Sequence, residues 1–122
     1  MSRKILAIDD SRTIREMLRF VLQAAGFDVR LASDGREGVN ILEHVLPNVV
    51  ITDINMPVMG GFEVIEHIRS SNKFRALPIL VLTTESAQDL KDRAKRAGAT
   101  GWIVKPFDDV KLVNAIRRIS PV

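Results

Sequence analysis

The sequence predicts an α/β fold, a parallel sheet of five strands with helices on both faces. Five short runs rich in apolar, β-branched residues recur at 4–8, 27–32, 49–52, 78–82 and 101–104. After each comes a segment whose apolar residues fall at helical spacing, reached by a short connection. Strands apolar on both sides, alternating with helices, argue for parallel pairing under two helical layers with right-handed crossovers.

Strand one, Lys4 to Ile8, ends at Asp9-Asp10. Ser11 caps the first helix, which should bury Ile14, Met17, Leu18, Val21, Leu22 and Ala25 before Gly26 closes it. Strand two spans 27–32, and Asp34-Gly35 turns into a second helix carrying Val39, Leu42 and Val45. Pro47-Asn48 opens the central strand Val49-Val50-Ile51-Thr52, which stops at Asp53 and runs into Met56-Pro57-Val58-Met59-Gly60-Gly61. Phe62, Ile65 and Ile68 mark helix three, and 72–77 reads as a polar connection. Strand four, 78–82, ends at Thr83-Thr84. Helix four, 87–97, has only Ala87, Leu90, Ala94 and Ala97 to turn inward, and Gly98 ends it. Strand five leads to Lys105-Pro106, and a last helix from Asp108 buries Leu112, Val113, Ile116 and Ile119.

The chain's 122 residues suit one domain, expected to span 1–122 with no output domain. No apolar run is long enough for a bilayer, and Met1-Ser2-Arg3-Lys4 does not open a signal peptide. The expectation is therefore a cytoplasmic protein away from membranes. With no cysteine there is no thiolate nucleophile, thiolate metal site or disulfide. The net charge of +3 is a modest excess with few aromatics beside it, so nucleic acid is not the expected partner. No Gly-rich turn follows strand one, which excludes the dinucleotide-binding pattern.

All carboxyl ends of a parallel sheet lie along one edge, where α/β folds bind ligands. That edge gathers Asp9, Asp10, Asp53, Thr83 and Lys105. Taken singly, each has an ordinary structural role: charge on a helix's first turn, a β-branched strand residue, a turn. Together they bring three carboxylates, a hydroxyl and an amine into one place. Two like charges 4 Å apart repel by about 4 kcal/mol at an effective dielectric of 20, so cations must sit among them. Lys105 is one, and the hard oxygen donors suit Mg²⁺ as another. A carboxylate so placed can act as nucleophile to form an aspartyl-phosphate, with the cations and Thr83 on the phosphoryl oxygens.

The set Asp9-Asp10, Asp53-x-x-Met56-Pro57-x-Met59-Gly60-Gly61, Thr83 and Lys105-Pro106-Phe107 resembles the response-regulator receiver domain, and within it the stand-alone chemotaxis regulators of the CheY type. The resemblance covers residues 4–119. It implies a flavodoxin-like receiver fold with strand order 2-1-3-4-5. It further implies Asp53 as phosphoacceptor, Asp9, Asp10, Asp53 and the Asn55 backbone carbonyl as Mg²⁺ ligands, Thr83 as switch hydroxyl, Lys105 as phosphate contact and a cis Lys105–Pro106 bond. Trp102 stands where the family has Tyr or Phe as its switch aromatic; an indole is larger and only donates a hydrogen bond. Asn55 and Glu85 resemble the residues that tune hydrolysis in fast regulators, implying a short-lived phosphorylated state. Thr84, where the family prefers a small residue, would crowd the phosphoryl group.

By resemblance, the donor is a sensor histidine kinase of the chemotaxis type, and the target a flagellar motor switch protein or another protein. The contact surface is helix four, strand five and helix five, with Lys91, Lys95, Arg96, Trp102, Lys111 and Arg118, on a monomer. A phosphate sink for such a kinase fits the same residues. So does a Mg²⁺-dependent aspartate-nucleophile phosphohydrolase, against which stand the missing cap and the nucleophile's place on the central strand. An interaction module that is never phosphorylated is a further rival, opposed by the intact Asp53, Thr83 and Lys105. His44 and His67 lie late in predicted helices, away from the strand ends, and are not expected to carry chemistry.

Overall fold

A computed structural model describes residues 3–120; Met1, Ser2, Pro121 and Val122, included in the expected domain, lie outside the described residues. The elements run β1 (Lys4–Ile8), α1 (Arg12–Ala24), β2 (Asp28–Ala32), α2 (Gly35–Val45), β3 (Val49–Thr52), α3 (Gly61–Ser70), β4 (Ile79–Thr83), α4 (Gln88–Ala97), β5 (Gly101–Val104) and α5 (Asp109–Ile119). The strands form one sheet in the order β2-β1-β3-β4-β5, every pairing parallel. The α/β fold and the order implied by the resemblance are therefore those observed.

Alternate residues of each strand feed two cores. Leu6, Ile8, Val50, Ile79 and Val81 pack with Leu42, Val64, Ile65, Ile68 and Ala94 under α2, α3 and α4. Ile5, Ala7, Val49, Ile51, Leu80 and Leu82 pack with Leu18, Leu22, Leu112 and Ile116 under α1 and α5. Both faces of β1, β3 and β4 are thus sealed, which is why these strands read as unbroken apolar runs. The helix starts follow local chemistry. Ser11 Oγ accepts from the Ile14 N–H at 3.2 Å, Asp34 Oδ1 from Glu37 at 2.9 Å and Asp108 Oδ1 from Lys111 at 3.1 Å, caps typically worth about 1 kcal/mol each.

Four readings need correction. Met17 is 45% exposed, because it lies roughly a quarter-turn from the centre of the α1 stripe set by Ile14, Leu18, Val21 and Ala25. Ala87 is exposed and extended at φ −64°, ψ 132°; it is the N-cap of α4 and not part of its inner face. The connection at 72–77 is not uniformly polar, since Phe74 and Leu77 are buried against α3 and β4. Phe27 and Pro78 precede their strands, although Phe27 is still buried.

The helix C-termini are less regular than their starts. Gly26 and Gly98 take left-handed φ values of 94° and 114°, as expected of glycines past helix ends, but α2 ends on Leu46 at φ 51°. In the loop after β3, Val58 has φ 69°, and Met59 N–H donates to Pro57 O at 2.7 Å around it. A β-branched residue in the left-handed region is strained, and the tight three-residue turn it closes is a rare one.

Candidate functional site

Sheet register builds the site. Ile8 pairs with Thr52, Thr52 with Val81, and Thr83 with Val104, so Asp9, Asp53, Thr83 and Lys105 arrive along one edge. Backbone bonds continue the ladder past the strand ends: Asp53 N–H donates to Ile8 O at 3.0 Å, Lys105 N–H to Thr83 O at 2.8 Å, and Asp9 N–H to Ala32 O at 3.1 Å. Asp9, Asp53 and Thr83 are thus presented by the ends of buried strands, and Lys105 by the half-buried β5.

Asp9 and Asp53 are nearly closed off from solvent, at 1% and 8% exposure, whereas Asp10 is exposed. Each of the three offers a carboxylate oxygen within 4.8 Å of the others. Lys105 Nζ lies between two of them, donating to Asp9 Oδ2 at 2.7 Å and to Asp53 Oδ2 at 2.9 Å. The remaining oxygens are met by backbone: Ile54 N–H donates to Asp53 Oδ1 at 2.6 Å, and Ser11 N–H to Asp9 Oδ1 at 2.9 Å. Burial raises the Asp9 carboxyl above its ordinary value, outweighing the bonds from Lys105 and Ser11 that act to lower it. Burial also acts to lower the Lys105 ammonium, but its bonds to Asp9 and Asp53 together hold it above the usual lysine value. This is a charged cluster whose negative members outnumber its single internal cation.

A second layer connects the site to α4 and β5. Thr83 is fully buried, and its Oγ1 accepts from Glu85 N–H at 3.3 Å. Glu85 is held twice more: Asn55 Nδ2 donates to its Oε1 at 2.8 Å, and Trp102 Nε1 donates to its carbonyl at 3.2 Å. Trp102 is half-buried, Asn55 and Thr84 are exposed, and the Lys105–Pro106 bond is cis. His44 and His67 are exposed and lie in other parts of the chain, on α2 and α3. Of the expected surface residues, Lys95, Arg96, Lys111 and Arg118 are exposed and Lys91 partly so. Lys111 and Arg118 border a groove of about 430 Å³, and Lys91 and Lys95 one of about 350 Å³, the two meeting at Gly101 and Trp102.

Three contributors escaped the sequence reading. Arg15 Nη1 donates to Asp9 O at 2.8 Å, holding the backbone of the acidic pair from the first turn of α1. The Ile54 N–H on Asp53 is a backbone group with no sequence signal. Gly61 packs its α-carbon against the Asp53 carbonyl so closely that a Cβ would collide with it. Its place in the Met59-Gly60-Gly61 run was visible, but the reason for it was not.

Residues 5–117 match the response regulator receiver domain, and the chain belongs to that family. It is a CheY-like receiver domain of two-component signalling, a class of signalling modules and not of conventional enzymes. The chain is similar to the structure of the chemotaxis protein CheY4 of Vibrio cholerae, at 43% identity and a TM-score of 0.93, covering 98% of this chain and 99% of that one. It is similar at 25% identity and a TM-score of 0.89 to the receiver domain of the sensor histidine kinase PA1611 of Pseudomonas aeruginosa, covering 97% of each; that structure has magnesium coordinated in its active-site cleft. The phosphate regulon transcriptional regulatory protein PhoB of Escherichia coli is 35% identical across the whole of this chain, which spans 55% of PhoB's length. No helix among the described residues is long and apolar enough to cross a membrane.

Proposed function

We propose that Asp53 accepts a phosphoryl group from a phosphohistidine on a sensor histidine kinase of the chemotaxis type. The resulting change at Thr83, Glu85 and Trp102 alters the surface of α4, β5 and α5 for a protein target, a flagellar motor switch protein being the reading that similarity to CheY4 favours. A cytoplasmic site of action goes with such a donor. The observation that carries this is the position of Lys105, whose ammonium spans Asp9 and Asp53 at 2.7 and 2.9 Å and so stands where charge on a phosphoryl group would develop.

The donor set suits Mg²⁺: hard carboxylate oxygens within 4.8 Å of one another, with only one internal cation against three acids. Asp9, Asp10, Asp53 and the Asn55 backbone carbonyl would hold the ion, which when bound supplies positive charge to the phosphoryl oxygens. An Asp53 oxygen attacks phosphorus, the N–P bond breaks, and its electron pair leaves on the imidazole nitrogen. Asp53 is kept oriented meanwhile by the Ile54 N–H. Lys105 exchanges its contact with Asp53 for a phosphoryl oxygen. The Thr83 hydroxyl, at present only an acceptor from Glu85 N–H, has its proton to give to another oxygen. Any movement of that hydroxyl loads Glu85, and through the Glu85 carbonyl it reaches the Trp102 indole. Asn55 and Glu85, bonded across the mouth, and Thr84 beside them control the approach of water to the acyl phosphate.

Intact mass and Trp102 emission, with Mg²⁺ and acetyl phosphate, test this beside Asp53→Asn. A gain of one phosphoryl group and a changed emission, both absent in the variant, are expected. A gain that persists in the variant, or none under any donor, overturns the assignment. Turnover of a free phosphomonoester would indicate a phosphohydrolase. Draining of a phosphorylated chemotaxis kinase without target binding would assign the role of phosphate sink.

A further inference from the structure

Helix α4 has a thin hydrophobic hold on the protein: Ala94 is its one fully buried residue, Leu90 and Ala97 are half-buried, and its start at Ala87 has no side-chain cap. Two arginines add to that hold, one from each partner of the α3–α4 pair. At the C-terminal end, Arg69 of α3 donates through Nε to Gly98 O at 3.0 Å and through Nη1 to Leu77 O at 2.7 Å and Arg75 O at 3.0 Å. Its side chain lies so close over Gly98 that a Cβ there would stand 2.7 Å from Nε. The same end is tied to the sheet, with Thr100 N–H donating to Ile79 O at 2.8 Å and Ile79 N–H to Thr100 Oγ1 at 3.0 Å. Further along, Arg93 of α4 lays its guanidinium 3.9 Å from the ring centroid of Phe62, at the start of α3. The two restraints differ in kind. Arg69 makes directional bonds to three carbonyls in a partly buried site, which fix a position. A guanidinium over an aromatic face is held by a broad attraction and can slide without rupture.

We propose that α4 is a lever, hinged at Gly98 by the Arg69 clamp and restrained by the sliding Arg93–Phe62 stack. Its motion is then confined to residues 88–93, beside the Glu85 loop, while 98–100 stay fixed to the sheet. The hinge itself follows from the contacts alone; its use in signalling rests on the reading of Asp53 and Thr83 above. Glu85 and Trp102 lie at the free end, so a change at Thr83 enters the lever where it moves most easily.

Amide hydrogen exchange on the full chain, with no phosphodonor, tests the hinge. In the wild type the Gly98, Ala99 and Thr100 amides should exchange at least about tenfold more slowly than those of Asp92 and Arg93, as expected where charged hydrogen bonds hold one end only. Arg69→Met should erase that difference from the C-terminal side, and Arg93→Ala should speed exchange at 91–93 alone. If Arg69→Met fails to fold, Arg69→Lys keeps the charge without the three-carbonyl fork and is read in its place. Uniform loosening of α4 in the Arg69 variant, or unchanged exchange at 91–93 in Arg93→Ala, overturns the proposal. A second arm adds Mg²⁺ and acetyl phosphate with mass monitored. Phosphorylated wild type should change at 84–93 and not at 98–100, and a phosphoryl gain with change spread to 100 also overturns the hinge. Absence of any gain removes the phosphoacceptor reading and leaves the hinge to be judged on the first arm.

Discussion

Strand β3 and helix α4 lie one strand apart and are built on opposite principles. All four residues of β3 are buried, and the strand is paired on both sides and sealed on both faces. α4 fully buries one alanine, and an arginine clamp at Gly98 and an Arg93–Phe62 stack add to that hold. The difference teaches where rigidity is placed. Phosphoryl chemistry tolerates little misplacement of its nucleophile, so Asp53 is mounted on the stiffest element. A surface that has to change shape is assembled from parts that cost little to move.

Substitutions on the two sides should separate them. Ile51→Ala, in the middle of β3, should lower unfolding free energy by about 3–4 kcal/mol, while Leu90→Ala on α4 should cost about 1 kcal/mol or less, both read by urea denaturation. Equal losses would mean that α4 is anchored as firmly as the sheet. Lys105→Met tests the charge balance at the end of β3. Losing the ammonium that bridges Asp9 and Asp53 should cost about 3 kcal/mol without divalent ions, and millimolar Mg²⁺ should restore most of it. A loss indifferent to Mg²⁺ would argue that the acids hold no metal.

Asp9 gives a pH signature. Its folded carboxyl is raised by burial, so between the ordinary aspartate value and its own the folded state binds more protons than the unfolded one. The stability this contributes is present at low pH and is lost as pH rises through the folded value. Asp9→Asn in metal-free buffer should therefore flatten the fall in urea midpoint across that window and stand above wild type at neutral pH. A variant that follows the wild-type slope would show that another group produces it. The smallest effect concerns the loop between the two regions: Val58→Asn, which tolerates φ 69° better, should gain about 0.5–1 kcal/mol with Asp53 chemistry unchanged.

The stiff region was the legible one. An apolar run ended by a carboxylate can be read as a buried strand, and parallel topology then brings Asp9, Asp53, Thr83 and Lys105 together without knowledge of any side-chain contact. The compliant region was not legible to the same degree. Ala87 looked like part of a helical stripe because alanine suits both a cap and an inner face. Arg69 and Arg93 gave no signal, since an arginine at helical spacing reads as solvated surface and its long stem lets it act on groups far along the chain. Phe74 and Leu77 lie in a turn, where no period announces burial. Bonds such as Asn55 to Glu85, thirty residues apart, depend on where two loops end up, which local pattern does not encode.

Gly61 also bears on how tolerance to mutation would be interpreted. Because its α-carbon rests against the Asp53 carbonyl, a single methyl group there has nowhere to go except by pushing the backbone that carries the nucleophile. A survey of every single substitution would show 61 as intolerant and would score it like a catalytic position although it touches no ligand. The map of essential residues in this chain would thus be wider than the map of those that do chemistry, by the width of one hydrogen atom replaced.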